Sequence, residues 1–443
     1  MKRLVGVLFF TLALLSGTFA QKQWTLQECI QYALDNNIQI KRQELQTKVN
    51  KKDYQQSQYN MLPSVGGSVN HRWSSGRNFN QATGTVYEGS DMSDNFSISA
   101  EAVLFSGFQM KNTLVKNKYI LEKSLQDYQK FKNDISLQIA TVFLQILFNQ
   151  EALAIAESQL QVTSLQVEKT ERLVEAGNKP KGELFQIQAQ EANEKYNVIN
   201  AKNNLNISLL TLAQLLELPS TDGFSIISPD SIEISHTNVL SGVNEIYTAA
   251  ESNFPEIKSA NFNLKSREKD LDIARGGFYP YLSASAGYNA SYYRSVKMDG
   301  KTIPLFDQLK DNNNKFIGFN LSIPIFSKFQ TRTSVSKAKI GILDAEYNLN
   351  QAKKDLYQEI QKAHADASAA FERYNAASEA IISNEESFKY IQQKYDLGIV
   401  NSVDYNIAKN DLLKAKSNYI QAKYEYVFKT KVLDFYKGLP IVL

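Results

Sequence analysis

Residues 108–176 contain neither glycine nor proline, and residues 329–397 contain a single glycine, Gly341. Each run is 69 residues long, and the second begins 221 positions after the first. At about 1.5 Å per residue, a helix of that length extends roughly 100 Å. Helices of globular proteins run to roughly 20 residues, so segments this long point to a coiled coil or a helical barrel. Gly177 and Gly398 close the two runs, and each is followed by a 36-residue stretch free of both breakers, 183–218 and 402–437. A residue just past a helix commonly turns left-handed, where glycine carries no side-chain penalty. Each pair therefore reads as a very long helix, a turn, and a shorter helix returning beside it. Asn401 or Ser402 is placed to cap the second returning helix, with Asp404 in its first turn beside the positive end of the dipole. Pro180 and Glu183 take these places in the first.

The spacing belongs to a duplication that covers most of the chain. From Asn36 to Pro63 the offset to the second half is a constant 217: "NNIQIK" meets "NFPEIK", and "NMLPSVGGS" meets "GFYPYLSAS". From Phe96 to Pro219 it is a constant 221, with Phe105-Ser106 on Phe326-Ser327, Gly177 on Gly398 and Leu218-Pro219 on Leu439-Pro440. The reading is a leader at 1–20, a first repeat at 21–218, a Ser/Pro/Asp-rich connector at 219–241 and a second repeat at 242–443. Within each repeat the order is helix, two strands, very long helix, turn, helix. The opening helices, at about 25–61 and 256–278, are expected to lie along one half of each long helix and the returning helices along the other.

"MKRLVGVLFFTLALLSGTFA" has Lys2 and Arg3, an apolar stretch from Leu4 to Leu15, and small residues ending at Ala20. This is the layout of a secretory signal peptide cleaved before Gln21, and the apolar stretch falls short of the roughly 20 residues a membrane span needs. Without it the chain carries 47 basic and 46 acidic residues, a balance that gives no support to nucleic-acid binding. Cys29 is the only cysteine, which rules out an intramolecular disulfide and paired-cysteine metal sites. His71, His236 and His364 are isolated, and no HExxH, P-loop or nucleophile-elbow pattern is present. Neither catalysis nor a cofactor is expected.

Between the opening helix and the long one the periodicity changes to two. In "DNFSISAEAVLF" Phe96, Ile98, Ala100, Ala102 and Leu104 are apolar and alternate with Asn95, Ser97, Ser99 and Glu101. Ile317, Phe319, Leu321, Ile323 and Ile325 occupy the equivalent places in the second repeat. The other strand pair keeps Val65, Val69 and Trp73 in phase with Leu282, Ala286 and Ala290, and Tyr288 and Tyr292 share that face. Strands of about 10–12 residues are expected, close to the 9–11 that cross a tilted bilayer. One apolar and one small polar face suit a membrane barrel with lipid outside and water inside. "SSGRNFNQATGTVYEGSD" and "RSVKMDGKTIPLFDQLKDNNN" read as polar rim loops. Phe105, Phe278, Tyr279, Tyr281, Phe326 and Phe329, near strand ends, read as an interfacial girdle. Four strands cannot close a barrel, for which about eight are the usual minimum, so the strands must be shared between chains. A periplasmic coiled-coil scaffold without a pore is the alternative, and it leaves the strand pairs without a purpose.

With these features in place the chain resembles the TolC-type outer membrane efflux protein family over nearly its whole length. The resemblance rests on the duplicated unit, on "NFPEIKSA", and on "LFSGF" and "IFSKF" after the second strand of each pair. It rests also on "KYDLGIVNSVDYNIAKNDLLKAKSNYIQAKYEY", which is similar to the family's second tip hairpin, with Tyr395, Gly398, Ser402, Asp404, Ala408 and Ala415 in place. It implies a homotrimer: a 12-stranded β-barrel in the outer membrane lipid, four strands per chain, continued by a trimeric α-helical barrel in the periplasm. Such an assembly is the exit duct of a tripartite efflux pump or a type I secretion system. The tips at Gly177, Asn178, Lys179, Pro180 and Lys181 and at Gly398, Ile399, Val400, Asn401 and Ser402 would meet a periplasmic adaptor protein, coupled to an inner-membrane transporter. Glu183, Tyr395 and Asp404 would line the periplasmic aperture, and opening would be an outward shift of the hairpins. Some members carry a second aspartate where this chain has Ile407 and an arginine where it has Val400, so a doubled carboxylate ring and an arginine-centred latch are not expected.

Overall fold

A computed structural model describes residues 23–80, 84–221, 223–227, 241–294, 297–298 and 301–441. The leader, with residues 222 and 228–240 of the connector, lies outside the described residues. The helices obey the duplication residue for residue. α1 (Leu26–Asn36) and α2 (Ile38–Tyr59) recur 217 positions on as α5 (Val243–Asn253) and α6 (Pro255–Gly276). α3 (Gln109–Glu175) and α4 (Lys181–Leu215) recur 221 positions on as α8 (Gln330–Asp396) and α9 (Ser402–Tyr436). A further short helix, α7, occupies Leu305–Asp311.

The first opening segment, expected as one helix over 25–61, is two; in the second repeat the helix expected at 256–278 is α6, and α5 precedes it. Thr25 starts α1 through a capping box, accepting from the Glu28 backbone at 3.2 Å while its own N–H donates to Glu28 Oε2 at 3.0 Å. The break falls at Asn37, whose Oδ1 accepts from the backbone of Gln39 and Ile40 at 2.9 and 3.3 Å and so begins α2. Its Nδ2 donates to the Leu215 carbonyl at 3.0 Å, fixing the corner against the end of α4. Phe254 holds the matching corner. Pro255 opens α6 with a ring already at helical φ, and the Phe254 ring packs on Phe435 and Tyr436 at 5.4 and 5.5 Å.

The chain forms two compact units, each drawing on both repeats. The first takes its described residues from 23–45, 127–257 and 352–441, the second from 46–126 and 258–351. In the first unit Leu26, Cys29 and Ala33 of α1 pack with Ile135, Ile139, Phe143, Ile146 and Leu147 of α3 and with Leu212 and Leu216 at the end of α4. Steps of three and four keep these groups on single helix faces. Ile226 joins them from β4 (Ser225–Ile226), which pairs in parallel with β1 (Gln23–Trp24). The middle of α3 is apolar enough by composition to cross a membrane, yet it forms this core. A smaller cluster joins Ala370, Phe371 and Tyr374 of α8 to Ala422 and Tyr426 of α9.

The second unit carries a four-stranded antiparallel sheet of β2 (Ser64–Asn80), β3 (Thr85–Ser106), β5 (Tyr281–Tyr293) and β8 (Asn313–Ser322), in that spatial order. Two-residue strands β6 (Lys297–Met298) and β7 (Lys301–Thr302) make a separate small ribbon. Val69 faces Phe96, which faces Ala290; Ile98 faces Tyr288; Ala286 faces Ile317 and Leu282 faces Leu321. One side of the sheet thus gathers the alternating apolar residues of all four strands. Val65, Val69, Trp73, Ile98, Ile317, Phe319 and Leu321 stand between 58% and 79% exposed. The opposite side bonds to itself through hydroxyl and amide groups. Ser68 and Ser97 hydroxyls lie 2.7 Å apart and the Ser291 hydroxyl donates to Asn95 Oδ1 at 2.8 Å. Val103 and Phe316 are apolar residues on that side, the Phe316 ring lying where a Cβ on Gly287 would stand.

Several details of the sheet differ from the expectation. β2 and β3 hold 17 and 22 residues, because the ladder continues through the segment read as the first rim loop, as far as Asn80 against Thr85. The second rim segment contains α7, where buried Gln308 donates to the Tyr293 and Ile303 carbonyls and accepts from the Tyr293 N–H, all within 2.9–3.0 Å. Ile323 and Ile325 lie beyond β8, which stops at Ser322, and Pro324 has no N–H to extend a ladder. Leu104 is the inserted residue of a bulge between Val103 and Phe105, which brings Phe105 opposite Leu282.

At the strand-to-helix corners, Gly107 and Phe108 have φ of 61° and 63°, and Lys328 and Phe329 have 48° and 62°. A Cβ at Gly107 would sit 2.3 Å from the Gly276 carbonyl oxygen, so that corner excludes a side chain twice over. Phe105 meets Phe108 edge-to-face at 5.3 Å, and Phe326 meets Phe329 in the same manner at 5.6 Å. Tyr279 packs on Phe108 at 6.2 Å; Phe278, Tyr279, Tyr281, Phe326 and Phe329 are all exposed.

Candidate functional site: the two hairpin tips

The tips α3–α4 and α8–α9 have the same backbone. Gly177 and Gly398 take φ of 73° and 75°. Gly177 N–H donates to Val174 O at 3.0 Å and Asn178 N–H to Leu173 O at 2.8 Å. Gly398 and Ile399 repeat this with Tyr395 O and Lys394 O at 3.0 and 2.9 Å. Both tips are Schellman motifs, which satisfy the last carbonyls of a helix while reversing the chain. Asn401 caps α9, accepting from the Val403 and Asp404 backbone at 2.8 and 2.9 Å. Ser402 does not cap: its hydroxyl donates to Gln186 Oε1 of the other hairpin at 2.8 Å. Pro180 begins α4 with no side-chain cap.

The side chains tie the two tips together around Lys179. Its ammonium donates to Glu183 Oε2 at 2.6 Å and to the Tyr395 hydroxyl at 3.2 Å, and stands 4.6 Å from the Tyr395 ring centre. Partial burial works against the charge, but the carboxylate and the phenol outweigh it and hold the ammonium above the ordinary lysine value. Tyr395 stacks on Tyr405 of α9 at 4.6 Å, and Phe388 of α8 lies 5.5 Å from the same Tyr405 ring. Tyr405 is buried, which, with Tyr395 and Asp396 nearby, pushes its phenol up to about 12. A second tie runs from Lys169 of α3 to Asp396 of α8 at 2.8 Å.

Of the three residues expected at an aperture, the structure brings Glu183 and Tyr395 onto a single lysine. Asp404 stands apart, exposed, and its carboxylate has no hydrogen-bond or ion-pair partner among the described residues. Asn178, Lys181 and Ile399 are exposed and Val400 is half-buried. Ile407 is exposed one turn beyond Asp404. Lys169, Gln186, Asp396 and Tyr405 were not singled out by the sequence. Only the residue types near each glycine gave a signal, since the partners lie 216 or more positions apart. Among the described residues no group of His, Cys, Asp and Glu could hold a metal ion; the arrangement is a set of polar contacts between two helical hairpins.

Comparison with known proteins gives the same picture. The family model for outer membrane efflux protein matches twice, over residues 29–217 and 246–436. The outer membrane protein TolC of Escherichia coli strain K12 is 22% identical over 371 residues, 83% of this chain and 72% of its own length. The fold is similar to that of the solved structure of CusC, with a TM-score of 0.80 at 15% identity, covering 94% of this chain and 92% of that one. It is similar also to the outer membrane protein VceC of Vibrio cholerae, with a TM-score of 0.77 at 17% identity, covering 94% and 97%. With its two family matches, its pair of helical hairpins and its one-sided apolar sheet, the chain belongs to the outer membrane efflux protein family, the channels of the outer membrane of Gram-negative bacteria.

Proposed function

We propose that three copies of the chain assemble into one duct. Their sheets join edge to edge as a 12-stranded barrel in the outer membrane, and their hairpins form an α-helical barrel in the periplasm. The carrying observation is a sheet with an exposed apolar side, a hydrogen-bonded polar side, and two unpaired edges, β2 and β8. An unpaired edge in lipid would leave backbone groups unsatisfied, at several kcal/mol each, so closure by identical neighbours is the economical solution. The polar side then faces a water-filled lumen.

The duct carries substrate passively as the exit of an efflux pump or type I secretion system. A periplasmic adaptor docks on the tips at 177–181 and 398–402, and an inner-membrane transporter supplies the energy. In the resting duct the second hairpin is held on the first by Lys179, with Tyr395 and Glu183 as its partners, and Asp404 supplies the free negative charge at the mouth. Opening separates the hairpins by exchanging these contacts for water or for the adaptor. Supporting this, each tie lies on or near a tip surface where water can replace it cheaply.

Detergent-extracted protein should behave as a trimer by light scattering and produce ion current in planar bilayers. A monomer that produces no current would overturn the proposal.

A further inference from the structure

One turn beyond Tyr405 on α9, Lys409 is 3% exposed. Its ammonium donates to Thr163 Oγ1 of α3 at 2.6 Å. Glu194 of α4 has its Oε1 3.8 Å away, too far for a hydrogen bond, and accepts instead from Gln190 Nε2 at 2.7 Å. Thr163 and Glu194 are 0% and 2% exposed, so the lysine, hydroxyl and carboxylate are all shut away from water. Burial drives the Lys409 ammonium below its ordinary value, and Glu194 only partly opposes this. One turn away on the same helices, Gln159 Nε2 and Asn406 Oδ1 are buried with no partner.

A buried lysine bonded to a neutral hydroxyl, with a carboxylate just out of reach, is a poor device for stability. Apolar residues of similar volume usually do as well or better in such a place, and the best-attested use of buried charge is to set a register or a switch. Both partners of Lys409 belong to the first hairpin and the lysine to the second. A charge-assisted hydrogen bond spans about 2.7–2.9 Å, so a relative shift of about 1 Å, the scale of helix movements at switching interfaces, carries the ammonium from Thr163 to Glu194. The two unsatisfied amides make the present arrangement cheaper to leave.

We infer that Lys409 is a two-position register pin between the hairpins, seated on Thr163 while the tips are tied and on Glu194 when the second hairpin moves. It is a positioning residue, acting on the opening of the duct without lining it. The inference rests on the duct reading above.

The test uses full-length trimers in planar bilayers, with open probability as the readout and the melting temperature of each trimer measured beside it. Thr163→Val removes the tied-state partner and should raise open probability several-fold. Glu194→Gln weakens the moved-state partner and should lower it. Lys409→Met, an apolar residue of similar length, should leave the melting temperature within a few degrees of wild type and abolish the effect of adding either other substitution. A merely structural role would move Thr163→Val and Glu194→Gln in one direction. Shifts of the same sign, no shift in either, or persistence of their effects in the Lys409→Met background would each overturn the inference. A wild-type chain that conducts nothing would instead overturn the duct itself.

Discussion

The ammonium of Lys179 rests 3.2 Å from the hydroxyl of Tyr395 and 4.6 Å from the centre of its ring, joining the first hairpin to the second across 216 residues of sequence. The same ammonium is 2.6 Å from Glu183, so one cation in the turn serves a carboxylate on its own hairpin and a phenol on the other. Tyr395 in turn lies on Tyr405, which links the exposed tip to the buried face of α9.

Lys179→Met breaks the tie and leaves Glu183 unpaired beside the mouth. Hydrogen bonds to charged groups are worth roughly 1.5–3 kcal/mol, of which partial exposure leaves the lower end. The open probability in planar bilayers should rise about tenfold, the factor that 1.4 kcal/mol gives. Tyr395→Phe keeps the ring under the cation and loses only the hydroxyl, so its effect should be the smaller of the two. A larger effect from Tyr395→Phe would show that the hydroxyl has another partner.

Tyr405 should resist ionisation. Its phenol is pushed up to about 12 while an ordinary tyrosine ionises near pH ~10. The fold favours the neutral form, so this contribution to stability is whole below about pH 10 and is lost as the pH rises through about 12. In an alkaline titration followed by tyrosinate absorbance, Tyr405→Phe should remove one late step and leave the early steps unchanged.

The apolar side of the sheet should tolerate no charge. Ile317→Arg places a cation on the side proposed to face lipid and should cost roughly 2–4 kcal/mol at mid-membrane depth. Asn320→Asp, on the polar side, should be nearly neutral. The yield of folded, heat-modifiable trimer from outer membranes distinguishes them; equal yields would remove the assignment of faces.

Two glycines with nearly the same φ should respond differently to alanine. At Gly177 nothing lies within 4 Å of the added Cβ, so Gly177→Ala should cost only the left-handed strain of roughly 1–2 kcal/mol, seen as faster amide exchange confined to the tip. At Gly107 the same strain is joined by a contact of 2.3 Å with a backbone oxygen. Gly107→Ala should therefore lower the trimer yield and melting temperature where Gly177→Ala leaves both close to wild type.

Much of this architecture is local in origin and could be read along the chain. Breaker-free runs and terminal glycines placed α3, α4, α8 and α9 within a few residues, because helix continuation and termination depend on the backbone preferences of adjacent residues. The alternation from Phe96 to Ala102 put those residues on one side of the sheet, because side chains on a strand can point only two ways, and it fails at Leu104, where the bulge inserts a residue. The break at Asn37 was also within reach: Pro255 stands 217 positions after Ile38, the first residue of α2, and proline favours the first position of a helix.

Tertiary structure alone decided which groups meet. Nothing near Lys179 names Tyr395, nothing near Lys409 names Thr163, and Glu183 read as an open acid until the fold put a lysine on it. The extension of β2 and β3 through a polar segment was likewise a matter of cross-strand pairing, which polar composition does not prevent. Backbone conformation is dictated by neighbours in sequence, whereas a hydrogen bond is dictated by neighbours in space. The long hairpins bring together residues that only the finished packing can pair.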